Sequence, residues 1–314
     1  MSQNFNQNIC ELTDKMVATY QDDCAQASHI SEYMPSRDEI ITLINDIRKL
    51  FYPRHFGDRT LDDHSMHYYV GNLMLRIEER LQKQILAALL RKNTAQCSDG
   101  EMVAQARKIS NAFMEKLPEV RTMLSMDVQA AYDGDPAAAD LDQIIISYPG
   151  VFAMMVYRTA HVLVELNVPL IPRIMTEYAH SRTGIDINPG ATIGKYFFMD
   201  HGTGIVIGET TEIGDYVKVY QGVTLGALST RGGQSLRGKK RHPTIEDNVT
   251  IYSNCSILGG ETVIGHDCII GGNTFITKSI PPFSRVSIKN PELQVEDGMP
   301  AELQDDFGWA KGEA

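Results

Sequence analysis

Two spacings of apolar residues divide the chain, one helical over residues 1 to about 183 and one of six residues beyond it. In the first part Ile40, Ile44, Ile47 and Phe51 mark one helical face. Ser36 and Glu39 open it at capping-box spacing, and Pro53 is a stop signal. Val70, Leu73, Met74, Ile77, Leu81, Ile85 and Leu89 keep the 3.6 period through a long second helix that ends in the polar stretch 93–100. A third helix is expected to end at Pro118, and Gly134 with Pro136 punctuates the next connection. Residues 137–181 read as two or three further helices broken at Pro149, Pro169 and Pro172.

After Arg182 the period changes. Ile187 and Ile193 are six apart; after a two-residue slip Ile207, Ile213, Val219 and Leu225 keep step. Past an interruption Ile245, Ile251 and Ile257 resume, and a one-residue slip leads to Ile264, Ile270 and Ile276. Glycine follows the aliphatic residue in Ile193-Gly194, Ile207-Gly208, Ile213-Gly214, Leu225-Gly226, Ile264-Gly265 and Ile270-Gly271. A six-residue unit suits a short strand with one inward aliphatic side chain and a turn. Three units then close a triangular coil whose backbone pairs with the next coil about 4.8 Å away. Roughly four or five coils fit the length. An ordinary antiparallel sheet would instead alternate with period two. The patterns together predict an α+β chain, an all-helical N-terminal domain followed by a β-helix.

Composition removes several function classes. The 314 residues carry 40 acids against 29 bases, a formal charge of −11, which disfavours a surface built to collect nucleic-acid phosphates or anionic lipid. The hydrophobic fraction of 43% excludes a disordered chain. The five cysteines, Cys10, Cys24, Cys97, Cys255 and Cys268, form no CxxC pair, so neither a disulfide framework nor a zinc ribbon is indicated. The N-terminal twenty residues lack a signal-peptide pattern, and no apolar run reaches about 18 residues. A soluble cytoplasmic protein is expected.

The interruption, residues 227–241, holds Arg231, Arg237, Lys239, Lys240 and Arg241 and no acid. Such a loop can be merely solvated, but on a rigid coil in an acidic chain it also suits a phosphorylated ligand. The phosphates of coenzyme A, met by Lys239 and Lys240, are one candidate. The repeat half has three histidines, His201, His242 and His266, too far apart in sequence for metal-ligand spacing, so no metal is expected. His201 follows Asp200 at the two-residue slip, where the coil must be disturbed. Asp186 lies close to one coil earlier, and its carboxylate is expected to accept from the imidazole Nδ1–H and leave Nε2 as a general base. The alternative is a satisfied surface histidine.

The segments GIDINPGATIG, MDHGTGIVIGET, VTLGA and RHPTI, preceded by GDPAA and a helical half, resemble the serine O-acetyltransferases over roughly residues 100–285. The resemblance implies a left-handed parallel β-helix of hexapeptide repeats with a long inserted loop. Helical residues 1–183 would carry oligomerisation and part of the substrate site, 184–290 catalysis with loop 227–241, and 291–314 an acidic, flexible tail. It implies His201 as general base, Asp186 as its orienting acid and His242 as a second active-site histidine. Asp135 and Asp200 would hold the serine ammonium and Arg241 its carboxylate. Gly226, Ala227, Ser253, Gly271 and Gly272 would line the path of coenzyme A. At Gly226-Ala227-Leu228 the chain departs from the Gly-Gly-Thr of many members, and the loop before Arg-His-Pro is longer.

Acetyl-CoA would be co-substrate, L-serine the acceptor and L-cysteine a feedback inhibitor, in a trimer or a dimer of trimers with sites shared between subunits. The chain ends in Ala314 instead of the isoleucine with which similar enzymes enter O-acetylserine sulfhydrylase, so no stable complex with that enzyme is expected. Other readings are acetylation of homoserine or a sugar, or a non-catalytic or metal-dependent trimeric β-helix protein.

Overall fold

The computed structural model describes residues 9–19, 33–92 and 98–289. The described residues 9–19 are helical (α1), and seven helices follow: α2 (Arg37–Phe51), α3 (Pro53–Phe56), α4 (Asp63–Lys92), α5 (Asp99–Gly134), α6 (Leu141–Ser147), α7 (Pro149–Glu165) and α8 (Ile171–Thr183). The predicted face of α2 is the buried one, through Ile40, Ile44, Ile47 and Phe51. Its capping box is only half formed. The Ser36 hydroxyl accepts from the Glu39 N–H at 3.3 Å, but Glu39 pairs with Arg80 at 2.7 Å, and the Ser36 N–H goes to Gln84 Oε1 at 2.7 Å.

The expected stop at Pro118 is not observed: α5 runs through it. A mid-helix proline forfeits one backbone bond and costs about 3 kcal/mol. Here the buried stripe Ala106, Phe113, Leu117, Val120, Leu124 and Val128 keeps its phase on both sides, and burial of that stripe outweighs the lost bond. Pro149 and Pro172 sit in the first turns of α7 and α8, where no N–H is needed.

Beyond α8 the chain winds into a parallel β-solenoid of about five turns with three sheets. One sheet stacks β1 (Asp186–Ile187), β4 (Val206–Ile207), β7 (Thr224–Gly226), β10 (Ser256–Leu258) and β13 (Phe275–Ile276). The second stacks β2 (Thr192–Ile193), β5 (Glu212–Ile213), β8 (Thr244–Ile245) and β11 (Val263–Ile264). The third stacks β3 (Phe198–Asp200), β6 (Lys218–Tyr220), β9 (Thr250–Ile251), β12 (Ile269–Ile270) and β14 (Arg285–Val286). All twelve six-spaced aliphatics, from Ile187 to Ile276, are buried along the coil axis.

Register steps show where the slips went. The step is 20 residues at Asp186↔Val206, 18 at Val206↔Thr224, 32 across the loop at Thr224↔Ser256 and 19 at Ser256↔Phe275. The two-residue slip is a bulged corner between β3 and β4, in which His201 (φ 58°), Gly202 (φ 82°) and Gly204 (φ 81°) all adopt the left-handed region. A left-handed histidine is uncommon and persists only where the surroundings hold it.

The two halves are clamped by an ion pair. Arg158 of α7 donates to both oxygens of Asp127 of α5 at 2.6 and 2.8 Å, each side chain about 4% exposed, and to the coil carbonyls of Ile193 and Gly194 at 3.1 and 2.7 Å. The Phe197 N–H donates back to Asp127 at 3.1 Å, and the Tyr157 hydroxyl donates to the Ala191 carbonyl at 2.6 Å. The last turns of α5 are thereby fixed against the corner between β2 and β3. The acidic tail 291–314 and the C-terminal residue lie outside the described residues.

Candidate active site

The first cluster forms where α5, α7 and the bulged corner meet. Asp135 caps the C-terminus of α5, its N–H donating to the Ala131 carbonyl at 3.0 Å. Its Oδ1 accepts from the Ala137 N–H at 2.8 Å and its Oδ2 from the Tyr148 hydroxyl at 2.5 Å. The Tyr148 bond, then that of Ala137, holds the Asp135 carboxyl below its ordinary value, with a further contribution from His201. The same bond, with burial and the charges of Asp135 and Asp200, pushes the Tyr148 phenol up to about 12.

Asp200, at the end of β3, is 17% exposed, and its Oδ1 is 3.7 Å from His201 Nδ1. The His201 ring stands 71% exposed, turned outward by the bulge. Tyr220 pairs in register with Asp200 and stacks on Tyr252 at 5.0 Å between centroids; burial first, then the charge of Asp200, raises its phenol. Asp186 does not hydrogen-bond His201 within the chain. Its carboxylate instead faces Arg173 Nη1 at 4.0 Å. The first coil takes 20 residues instead of the expected 18, and the bulge carries the imidazole over Asp200.

The second cluster gathers at the far end of β4 and β7, around the base of the inserted loop. The Thr210 N–H donates to His242 Nδ1 at 3.0 Å, and the Thr210 hydroxyl lies 2.9 Å from the same nitrogen. That hydroxyl accepts from the N–H groups of Arg241 and His242 at 2.9 and 3.1 Å, so its own proton points at Nδ1. A nitrogen that receives an N–H cannot carry a proton; His242 is therefore the neutral Nε2–H tautomer. Burial, reinforced by Arg241, pushes its value down to about 4. Gly208 makes room for the ring, since a Cβ there would lie 2.1 Å from His242 Cδ2.

Two of the five loop cations are already engaged. Arg241 pairs with Glu209, and Lys240 donates to the Thr210 carbonyl at 2.8 Å and pairs with Glu212 at 3.0 Å. Lys239 is exposed. Within one chain the clusters stay apart, His201 at the corner before β4 and His242 at the corner after β7.

No family model matches the chain. A plasmid-encoded serine acetyltransferase of Synechococcus elongatus is 42% identical over 261 residues, 81% of this chain and 82% of the relative. The chain belongs to the serine acetyltransferase family. A serine acetyltransferase of Bacillus subtilis is 45% identical over 127 residues, which is 40% of this chain and 56% of that relative. Among solved structures, serine acetyltransferase 1 of Entamoeba histolytica in complex with L-cysteine superposes with a TM-score of 0.69 at 38% identity, covering 79% of this chain and 86% of that one. The Neisseria gonorrhoeae enzyme in complex with serine, 24% identical with a TM-score of 0.52 over 78% of this chain and 95% of its own, shares the fold.

The glycines expected along the coenzyme path of a serine acetyltransferase are also demanded by the coil. A Cβ on Gly271 would lie 2.8 Å from the Val286 carbonyl oxygen, and one on Gly272 would lie 3.0 Å from that of Ser253. Gly226 ends β7, where a Cβ would meet Leu258 Cδ2 at 2.9 Å, and Ala227 opens the loop beside it. Among the described residues no group of three or more His, Cys, Asp or Glu could hold a metal ion, and no helix is long and apolar enough to cross a membrane. His161 Nδ1 donates to the Pro189 carbonyl at 2.8 Å, a packing role.

Three residues of these clusters escape the sequence reading: Tyr148, Thr210 and Glu209. The only local signal for Tyr148 is its place before Pro149, which holds it extended at φ −78°, ψ 121°. Thr210 and Glu209 stand in the GETTEIG run, whose neighbours 32 residues on become partners only through coil stacking.

Proposed function

We propose that this protein transfers the acetyl group of acetyl-CoA to the hydroxyl of L-serine, giving O-acetylserine and CoA. The observation that carries the reading is that two acids, Asp135 and Asp200, both act on Tyr148 and on an exposed imidazole, His201, at a bulge in the solenoid of a chain of the serine acetyltransferase family. Carboxylates accept hydrogen bonds only, so this pocket suits the ammonium of an amino acid. His201, with Nδ1 toward Asp200, offers Nε2 to the serine hydroxyl. As that oxygen attacks the thioester carbon, its proton passes to Nε2. The tetrahedral intermediate then expels CoA as thiolate, which recovers the proton from the imidazolium.

His242 is suited to the oxyanion, because a neutral ring with its proton fixed on Nε2 donates one hydrogen bond and cannot compete as a base. The backbone N–H groups of Gly226 and Ala227 are further donors. Arg241 would share its guanidinium between Glu209 and the serine carboxylate. Asp186 supports His201 only when the exposed imidazole turns from Asp200 toward β1. Lys239 and Lys240, with Ser253, Gly271 and Gly272, would hold acetyl-CoA, Lys240 by leaving Glu212.

Because the clusters occupy different corners of one coil, the complete site would form between copies, in a trimer or a dimer of trimers. L-cysteine, which shares the ammonium and carboxylate of serine, would occupy the same pocket and inhibit. The decisive assay is CoA release from acetyl-CoA with L-serine, L-homoserine and sugars offered separately. Release with serine far above the others is expected; release with a sugar and none with serine overturns the assignment.

A further inference from the structure

The Asp135 carboxylate is tied at both oxygens by groups from different parts of the helical half. One is the Ala137 N–H, two residues on; the other is the Tyr148 hydroxyl, across the α6 turn. We propose that Tyr148 is the positioning residue for recognition of the substrate's ammonium, its hydroxyl fixing the plane of the Asp135 carboxylate so that the unused lone pairs face Asp200 and His201.

Each carboxylate oxygen has two acceptor sites, and one on each is filled. A carboxylate bound at one oxygen only can still swing about its Cβ–Cγ bond; bound at both, it cannot. The direction of the remaining lone pairs is then set before the substrate arrives, and preorganisation of this kind lowers the ordering cost of binding.

The tyrosine is itself held in place. Pro149 restricts its backbone to the extended region, and α7, which begins there, is pinned to the coil through Arg158 and Tyr157. The phenol stays protonated across the working range, since its bond to Asp135, then burial and the charges of Asp135 and Asp200, all oppose its ionisation, so the hydroxyl remains a donor. Tyr220, on the coil side, lies within electrostatic reach of the same two acids but makes no hydrogen bond to either, so Tyr148 alone of the two orients Asp135.

This inference rests on the reading that Asp135 receives the ammonium of serine. It is tested in the full-length protein by measuring CoA release with serine and acetyl-CoA varied independently. In Tyr148→Phe the KM for serine should rise by about tenfold, the loss expected for one hydrogen bond to a charged group, with kcat and the KM for acetyl-CoA unchanged. In an Asp135→Asn background the same substitution should add nothing, since the carboxylate it orients is gone.

An unchanged serine KM, an equal rise in both KM values, or an undiminished effect in the Asp135→Asn background would overturn the proposal. Wild-type protein that releases no CoA with serine would count against the proposed function instead. Calorimetric titration of L-serine into wild type and Tyr148→Phe then decides the role of Tyr148, and equal Kd values there overturn it.

Discussion

His201 and His242 show how one side-chain type is directed to two tasks. His201 stands out of a strained, glycine-flanked corner into solvent, whereas His242 is sunk over Gly208 and receives two donors on Nδ1. The second arrangement has a pH signature. Because the folded-state value of His242 is pushed down to about 4 from 6.5, the unfolded chain binds the proton first as pH falls. Stability therefore declines between about pH 6.5 and 4 and levels off, for this group, below that. Asp135 acts in a lower window: its carboxyl is depressed, so the stability it contributes is present above the ordinary carboxyl value and lost as pH falls through its folded value. Thermal unfolding of His242→Gln followed from pH 7 to 4 should lose less Tm than wild type. A parallel decline would show that His242 is not the group being titrated. His201 could be found from sequence because its slip breaks a strict period; Tyr148 and Thr210 could not, because a hydroxyl has no spacing rule until its partner is placed.

At the scale of elements, the hexapeptide strands needed little beyond local pattern, since each contributes one inward aliphatic and the same turn repeats. An apolar stripe at helical spacing marks α4, whose Leu73, Ile77, Leu81 and Ile85 are buried, while Met74 on the expected face is exposed. Pro118 does not break α5, because the buried apolar stripe keeps its phase across it. The junction between the halves was hidden: Asp127 and Arg158 are 31 residues apart, and neither spacing nor composition marks them as partners. Removing one side of a buried, bidentate pair leaves the other charge stranded, so Arg158→Met should lower the unfolding free energy by about 3–5 kcal/mol. Chemical denaturation measures it. A loss under about 1 kcal/mol would mean that Asp127 takes up a proton or a new partner at little cost.

For the whole molecule, the separation of the two clusters carries the largest consequence. If the working site joins His201 of one copy to His242 of another, His201→Ala and His242→Ala proteins should each be poorly active. The first should be lowered by roughly 10²–10⁴-fold through loss of the base, the second by about 10²–10³-fold through loss of an oxyanion donor. Co-expressed, they should form mixed assemblies in which some sites hold both histidines and activity returns well above either parent. Mixed assemblies that stay as inactive as the parents would place both histidines of a site in one chain.

The amino-acid sequence by itself determined the division at about residue 183, the solenoid with its inward aliphatics, the disturbed corner at His201 and the cationic loop, because each is written in local periodicity or its interruption. Only the tertiary structure decided that His242 is neutral, that Glu209 and Glu212 engage two of the loop's cations, that Asp186 faces Arg173, and that Tyr148 holds Asp135. Those facts depend on which distant side chains come within about 4 Å of one another. Coil stacking and the docking of α5 and α7 set such distances, and no one-dimensional pattern contains them.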